Sequence, residues 1–418
     1  MVTVDFRSRF EGDVVLLDVA DFLEDLAPAM RGPKSVAAAH AARRLGLEPL
    51  TLDVEGEQLT FGPESDGLHV RGGGAGDAIV VALDRQAFSD LVQDVASTFG
   101  LQMTGRARIS RGASDGFVGW EPILRCLLDG RPVPEPGPAT FATRDGSPLD
   151  LGRSFTLEDD PEEIGHFLAE AGYLHIQGVF TEAEMAAVSG DLDDAMAVAE
   201  RDDGASWWAR TATDEWYPSR ILGFNQRSPA LRALLHSERF TRIGTFTDDS
   251  FEQRDPDHGD SAEGLLKKVG VVEGISDVSW HKDCAMGGHS RRCCGLTVGI
   301  SVTGAQRNNG ELGVVAGSHR ANVAPLGIVG VDLPRVPLPT NTGDVTVHCS
   351  CALHMSRPPV SAERRVVYTG FGLAPRPGDR RRDRSEEEVR AERAALNGQV
   401  LDQQRHNPLD SRSASYEL

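Results

Sequence analysis

The segment Ser279-Trp280-His281-Lys282-Asp283 sets an imidazole and a carboxylate two residues apart. On an extended strand the side-chain period is two, so His281 and Asp283 point to one face, and Trp280 and Lys282 point outward from it. A nitrogen and an oxygen ligand converging on one point supply two of the three donors of the facial triad in which two histidines and a carboxylate hold iron(II), leaving other coordination positions open. The third donor must come from elsewhere. The run from Gly343 to Ser356, GDVTVHCSCALHMS, offers His348 and His354. Read as one strand, Thr346, His348, Ser350, Ala352, His354 and Ser356 share a more polar face, and Val345, Val347, Cys349, Cys351, Leu353 and Met355 an apolar one. Both cysteines then point away from the histidines. At about 3.3 Å per residue His348 and His354 would lie roughly 20 Å apart, so at most one of them is a ligand to a shared metal.

These residues need a scaffold. From about Leu265 the chain alternates in short runs broken by glycine (LKKVGVV, GLTVGISVTG, GELGVVAGSH, RRVVYTGFG), which predicts an antiparallel β-sandwich or barrel. Upstream, Thr181 and Glu184 form a capping box ahead of a helix whose face is Met185, Val188 and Leu192. The stretch from Arg131 to Pro148 holds five prolines and no periodicity, which marks an extended linker. Before it, DAIVVALDRQAFSDLVQDVAST predicts a strand entering an amphipathic helix through Phe88, Leu91, Val92 and Val95. The run Gly72-Gly73-Gly74-Ala75-Gly76 lacks the Gly-Lys-Ser/Thr ending of a phosphate loop and reads as a hairpin turn. Beyond Pro375 the chain is charged, which predicts a solvated, partly helical tail. The expected fold is α+β: a smaller α/β domain over 1–130, a linker over 131–150, a β-rich domain over 151–375 and a tail over 376–418.

A chain of 418 residues exceeds one compact core. Its formal net charge of -20 repels phosphate backbones and anionic lipid, which argues against nucleic-acid and membrane partners. No apolar run reaches the roughly 18 residues of a membrane span, and acidic residues stand where a signal peptide would have its apolar core, so a cytoplasmic location is expected. Six cysteines in a chain this long do not make a disulfide framework. Five of them, with five of the twelve histidines, lie between His281 and His354. His319, in Gly-Ser-His, reads as a turn residue, and His289 with Cys293-Cys294 as loop groups rather than a second metal site.

The β-rich part resembles the phytanoyl-CoA dioxygenase family of iron(II)/2-oxoglutarate oxygenases. The resemblance rests on an ordered set: Gly172-Tyr173 with His175-Ile176-Gln177-Gly178-Val179, then Trp280-His281-Lys282-Asp283, Asn309-Gly310-Glu311-Leu312, Ala316-Gly317-Ser318-His319, Gly343-Asp344, Leu353-His354-Met355-Ser356 and Arg364-Arg365. It implies a double-stranded β-helix (jelly roll) with flanking helices over roughly 155–375. It also implies His281, Asp283 and His354 as the iron(II) ligands, 2-oxoglutarate and dioxygen as cosubstrates, and Arg365 as the partner of the distal cosubstrate carboxylate. In this reading Ser356 supports Arg365, Lys268 is a further polar contact to the cosubstrate, and the adjacent Arg364 competes with Arg365. The implied reaction hydroxylates a C–H bond of a small molecule with release of succinate and carbon dioxide. Retention of Asp283 favours hydroxylation, desaturation or ring formation over halogenation, because related halogenases replace that carboxylate. The N-terminal part, LTFGPESDGLHVRGGGAGDAIVVALDRQAFSDLV with MTGRARIS and WEPILRCLLDGRPV, loosely resembles a sterol-carrier-like domain, which would imply an acyl or isoprenoid substrate. Two other readings stand beside the enzyme: an acyl carrier with an inactive oxygenase-like domain, and a cupin-like metal isomerase. Trp207, Trp208, Trp216, Tyr217 and Phe224, with Arg210 and Arg220, either line a pocket or pack helices on the sheet.

Overall fold

The computed structural model describes residues 14–28, 30, 32–247, 251–274, 278–286, 294–328, 330–374 and isolated positions between 385 and 398. His289, Cys293 and nearly all of the charged tail lie outside them. The chain divides into two compact units, one made of Met1–Ala139 with Lys282–Arg292 and Arg320–Asp332, the other of Thr140–His281, Cys293–His319 and Leu333–Leu418. Among the described residues no helix is long and apolar enough to cross a membrane.

In the first unit, helices α1 (Val19–Leu26), α2 (Pro33–Arg44), α3 (Arg85–Val92), α4 (Thr98–Met103), α5 (Ser114–Gly119) and α6 (Glu121–Asp129) accompany five strands. These are β1 (Leu50–Val54), β2 (Glu57–Glu64), β3 (Gly67–Gly72), β4 (Ile79–Leu83) and β5 (Ala107–Arg111), in sheet order β3-β2-β1-β4-β5. The expected strand and helix around Ile79–Val92 are present, with Phe88 and Leu91 fully buried; the helix ends at Val92, before Val95. The glycine run is not a hairpin turn. β3 pairs with β2, and β4 runs parallel to β1, so the run crosses the sheet from its edge to its middle. Two antiparallel strands suit a tight turn, whereas a parallel pair needs a crossover, and alternation alone does not distinguish them. The later segment 320–332 is tied into this unit by Asn322, whose Nδ2 donates to the carbonyls of Pro122 (2.8 Å) and Arg131 (2.9 Å).

The second unit is a jelly roll of two facing sheets. Its strands are β6 (Tyr173–Ile176), β7 (Ser206–Thr211), β8 (Trp216–Ile221), β9 (Phe251–Gln253), β10 (Glu263–Lys267), β11 (Val271–Glu273), β12 (Val278–His281), β13 (Gly295–Ser301), β14 (Leu312–Val315), β15 (Arg335–Leu338), β16 (Val345–Cys349), β17 (His354–Ser356) and β18 (Arg364–Leu373). The larger sheet runs β11-β7-β8-β10-β18-β13-β16-β6, with β9 on β18; the smaller runs β12-β17-β14-β15. Helices α7 (Pro161–Ala171) and α8 (Glu182–Ala197) cover the outer face of the larger sheet. There Leu296, Val298 and Ile300 of β13 join Val345, Val347 and Cys349 of β16 in one core with Met185, Val188 and Leu192 of α8. The polar–apolar sorting of β16 is therefore as alternation predicts.

Helix α8 begins with the complete capping box: the Glu184 amide donates to Thr181 Oγ1 (3.2 Å), and the Thr181 amide donates to the Glu184 carboxylate (2.8 Å). The Arg239 guanidinium and the Thr181 amide hold the Glu184 carboxyl down at about 2. Thr181→Ala removes one cap acceptor and should cost about 1 kcal/mol of unfolding free energy by urea titration. At the start of β16, buried Asp344 accepts from His175 Nε2 (3.0 Å) and from the amides of Gly178 (2.9 Å) and Asn341 (2.7 Å). Burial pushes this carboxyl up, but the three donors outweigh it and leave it below the usual carboxylate range. A depressed carboxylate stabilises the fold above its unfolded-state value and loses that contribution as pH falls. Asp344→Asn should thus lower stability at pH 7 by about 1–3 kcal/mol and flatten the acid limb of the stability–pH curve.

Candidate metal centre

Strands β12 and β17 are antiparallel neighbours with His281 opposite His354, so the two imidazoles project on the same side, ring centroids 4.2 Å apart. β12 ends at His281, and Asp283 opens a short 3-10 turn, Asp283–Met286. The carboxylate reaches the histidines by this turn, not by continued strand alternation. One donor atom each from His281, Asp283 and His354 lie within 4.8 Å of one another. Both histidines are largely buried, at 8% and 6% exposure.

Their tautomers follow from their neighbours. His281 Nδ1 lies 2.8 Å from the Ser279 carbonyl, and His354 Nδ1 lies 3.0 Å from the Ala352 carbonyl. A carbonyl only accepts, so each Nδ1 carries a proton, and Nε2 is the atom each imidazole would offer to a metal. Two imidazole nitrogens and a carboxylate are a donor set that suits iron(II). Lys282 and Trp280 are both buried, at 6% and 1% exposure.

His348 is closer to this cluster than one continuous strand allows. The chain leaves β16 after Cys349 and re-enters as β17 at His354, so the intervening turn brings the His348 ring to 4.0 Å from the His354 ring. Cys349 and Cys351 are buried, with Cys349 in the outer-face core. His319 bonds the Ala169 carbonyl through Nε2 (3.0 Å), in keeping with a turn residue.

The basic residues require a correction. Arg365 points to the outer, helical side: its Nη1 donates to Ser189 Oγ (2.8 Å) and pairs with Asp193 (2.8 Å), both on α8. Lys268 pairs with Glu215 (2.6 Å) and covers the Tyr217 ring. Neither faces the histidines. Their neighbours do: β10 and β18 pair with Lys267 opposite Arg364, and both are buried, at 2% exposure. Lys267 Nζ donates to Ser356 Oγ (2.6 Å) and to the Arg357 carbonyl (3.1 Å). Arg364 Nη1 lies 3.4 Å from Ser356 Oγ and also bonds the Gly310 carbonyl. Its Nε is buried with no hydrogen-bond partner. Ser356 is two residues from His354 on β17, so the expected serine is adjacent to the cluster, but the cations beside it are Arg364 and Lys267. Glu311, paired with Arg357 (3.6 Å), is the nearby acid, and burial pushes its carboxyl up.

Residues 168–367 match the phytanoyl-CoA dioxygenase (PhyH) family model. Among solved structures, AviO1 from Streptomyces viridochromogenes Tue57 is similar at 21% identity over 52% of this chain and 98% of that one, with a TM-score of 0.41. The epimerase SnoN in complex with Fe3+, alpha ketoglutarate and nogalamycin RO is similar at 18% identity over 54% and 90%, with a TM-score of 0.42. HygX from Streptomyces hygroscopicus with nickel and 2-oxoglutarate bound follows at 18% identity over 50% and 85%, with a TM-score of 0.37. Among curated protein sequences there is no match.

Proposed function

We propose that this protein is an iron(II)- and 2-oxoglutarate-dependent oxygenase that oxidises a C–H bond of a small-molecule substrate, with hydroxylation as the outcome. The observation that carries the reading is the convergence of His281, Asp283 and His354, with both Nδ1 protons committed to backbone carbonyls. Bound iron(II) and 2-oxoglutarate would couple dioxygen reduction to oxidation of the substrate, with decarboxylation of the cosubstrate to succinate.

The chain's own groups then have separate tasks. Ser279 and Ala352 fix the two imidazoles so that the Nε2 atoms face the same point, and Asp283 supplies the anionic donor. Arg364 is the group we assign to the distal carboxylate of 2-oxoglutarate, with Ser356 and Lys267 beside it. A buried guanidinium whose Nε has no partner fits a carboxylate that would accept from it, since an unmet buried donor is costly. That orphaned donor also favours the 2-oxoglutarate enzyme over a cupin-like isomerase, which needs no such anion site. Arg364 takes the role expected of Arg365, and Lys267 that of Lys268.

The test is succinate formation under air with iron(II), ascorbate and 2-oxoglutarate. The wild type should form succinate, and His354→Ala should not. No succinate from the wild type would contradict the proposal.

A further inference from the structure

The inner face of the larger sheet continues past Lys267 and Arg364 into a second polar cluster. Ile221 of β8 pairs with Gly264 of β10, and both face the helices: Ile221 belongs to the outer core, and a side chain at Gly264 would run into Leu192 and Phe224. Their alternating neighbours Arg220 and Leu265, themselves a register pair, therefore face inward with Lys267 and Arg364. By the same register Glu263 lies opposite Tyr368, and Trp207 lies opposite Arg220. Arg220 Nη1 bonds Glu263 (2.9 Å), and its guanidinium lies over the Trp207 ring, 4.8 Å from the centroid.

Two donors in this cluster are unmet. Trp207 is 9% exposed, and its Nε1 is buried without a hydrogen-bond partner; Arg220 Nε is likewise buried and unpartnered. Glu263 already neutralises Arg220, so a substrate carboxylate would be repelled by the carboxylate it met there. A neutral oxygen can accept from Trp207 and Arg220, and a hydroxyl can also donate to Glu263. An alkyl chain would leave both donors unmet and bury the ion pair.

We infer that Trp207, Arg220 and Glu263 form the subsite for the primary substrate, and that this substrate is a neutral, polyhydroxylated molecule of sugar or cyclitol type rather than a long-chain acyl or isoprenoid compound. The inference deepens the oxygenase reading and rests on it for the reaction, while the subsite itself is a matter of binding.

The test is ligand-observed saturation-transfer NMR on the full chain with methyl α-glucopyranoside, methyl β-ribofuranoside and myo-inositol as probes, against decanoate. At least one polyol should bind. Trp207→Phe, which keeps the ring and removes Nε1–H, should weaken it about fivefold, and Glu263→Gln should weaken it as well. Unchanged thermal melts establish that both variants fold, and a variant that fails to fold is replaced by Arg220→Lys, which should weaken the polyol likewise. Binding of none of the three polyols, equal binding by wild type and variants, or displacement of a bound polyol by decanoate would overturn the inference. Binding of 2-oxoglutarate is measured in the same samples: its absence would sink the oxygenase reading and leave the polyol result standing.

Discussion

Replacing Arg364 with methionine should weaken 2-oxoglutarate binding by about 10- to 150-fold, the range expected when a charge-assisted hydrogen-bond partner of a buried carboxylate is lost. Replacing Arg365 with methionine should leave that affinity within about twofold. The contrast follows from alternation on β18: Arg364 sits buried beside Ser356 and Lys267, while Arg365 is held by Ser189 and Asp193 on α8. Methionine keeps most of the stem volume at either site, so packing is disturbed little, and removing the Arg365 charge at a half-buried pair should cost stability rather than cosubstrate binding. Anaerobic calorimetric titration of each variant with 2-oxoglutarate, in the presence of iron(II), gives both affinities. A loss confined to Arg365→Met would return the anchor to that residue and refute the assignment of Arg364.

Asp283→Ala and His354→Ala should each abolish stoichiometric iron(II) binding at micromolar protein, because each removes one of three donors. Cys349→Ser should retain it. The cysteine lies in the outer core with Val345 and Val347, on the far side of β16 from His348. Its substitution should appear as lower thermal stability with iron content near one per chain. Metal analysis after anaerobic reconstitution and desalting reads all three. Full occupancy in Asp283→Ala would show that the carboxylate is not a ligand.

The same comparison shows where the sequence was legible. His281 and Asp283 stand out by spacing, although a turn and not a strand brings them together. The capped helix α8 and the outward cysteine of β16 follow from local rules, because each depends on residues a few positions apart. Parity was not legible at the cations. Lys267-Lys268 and Arg364-Arg365 are adjacent pairs of like charge, and strands β10 and β18 carry apolar residues on both faces: Leu265 and Leu266, Val366 and Val367. When both faces are half-apolar, only pairing with neighbouring strands decides which face is inner. The family resemblance implies Arg365; the register with β10 places Arg364 inward. The closeness of His348 to His354 was not legible for a related reason, since the turn after Cys349 has no proline or glycine to announce it. The inward cluster of Trp207, Arg220 and Glu263 joins residues up to 56 apart in the sequence through three strands, which spacing alone does not reveal.

The central claim is that His281, Asp283 and His354 hold an iron(II) to which 2-oxoglutarate binds beside Arg364. The most direct measurement is the visible absorption spectrum of the anaerobic protein with iron(II), before and after addition of 2-oxoglutarate. The account predicts a weak charge-transfer band that requires both iron(II) and 2-oxoglutarate, is missing in His354→Ala, and needs far more 2-oxoglutarate in Arg364→Met. A wild-type spectrum unchanged by 2-oxoglutarate, with iron(II) bound, would contradict it.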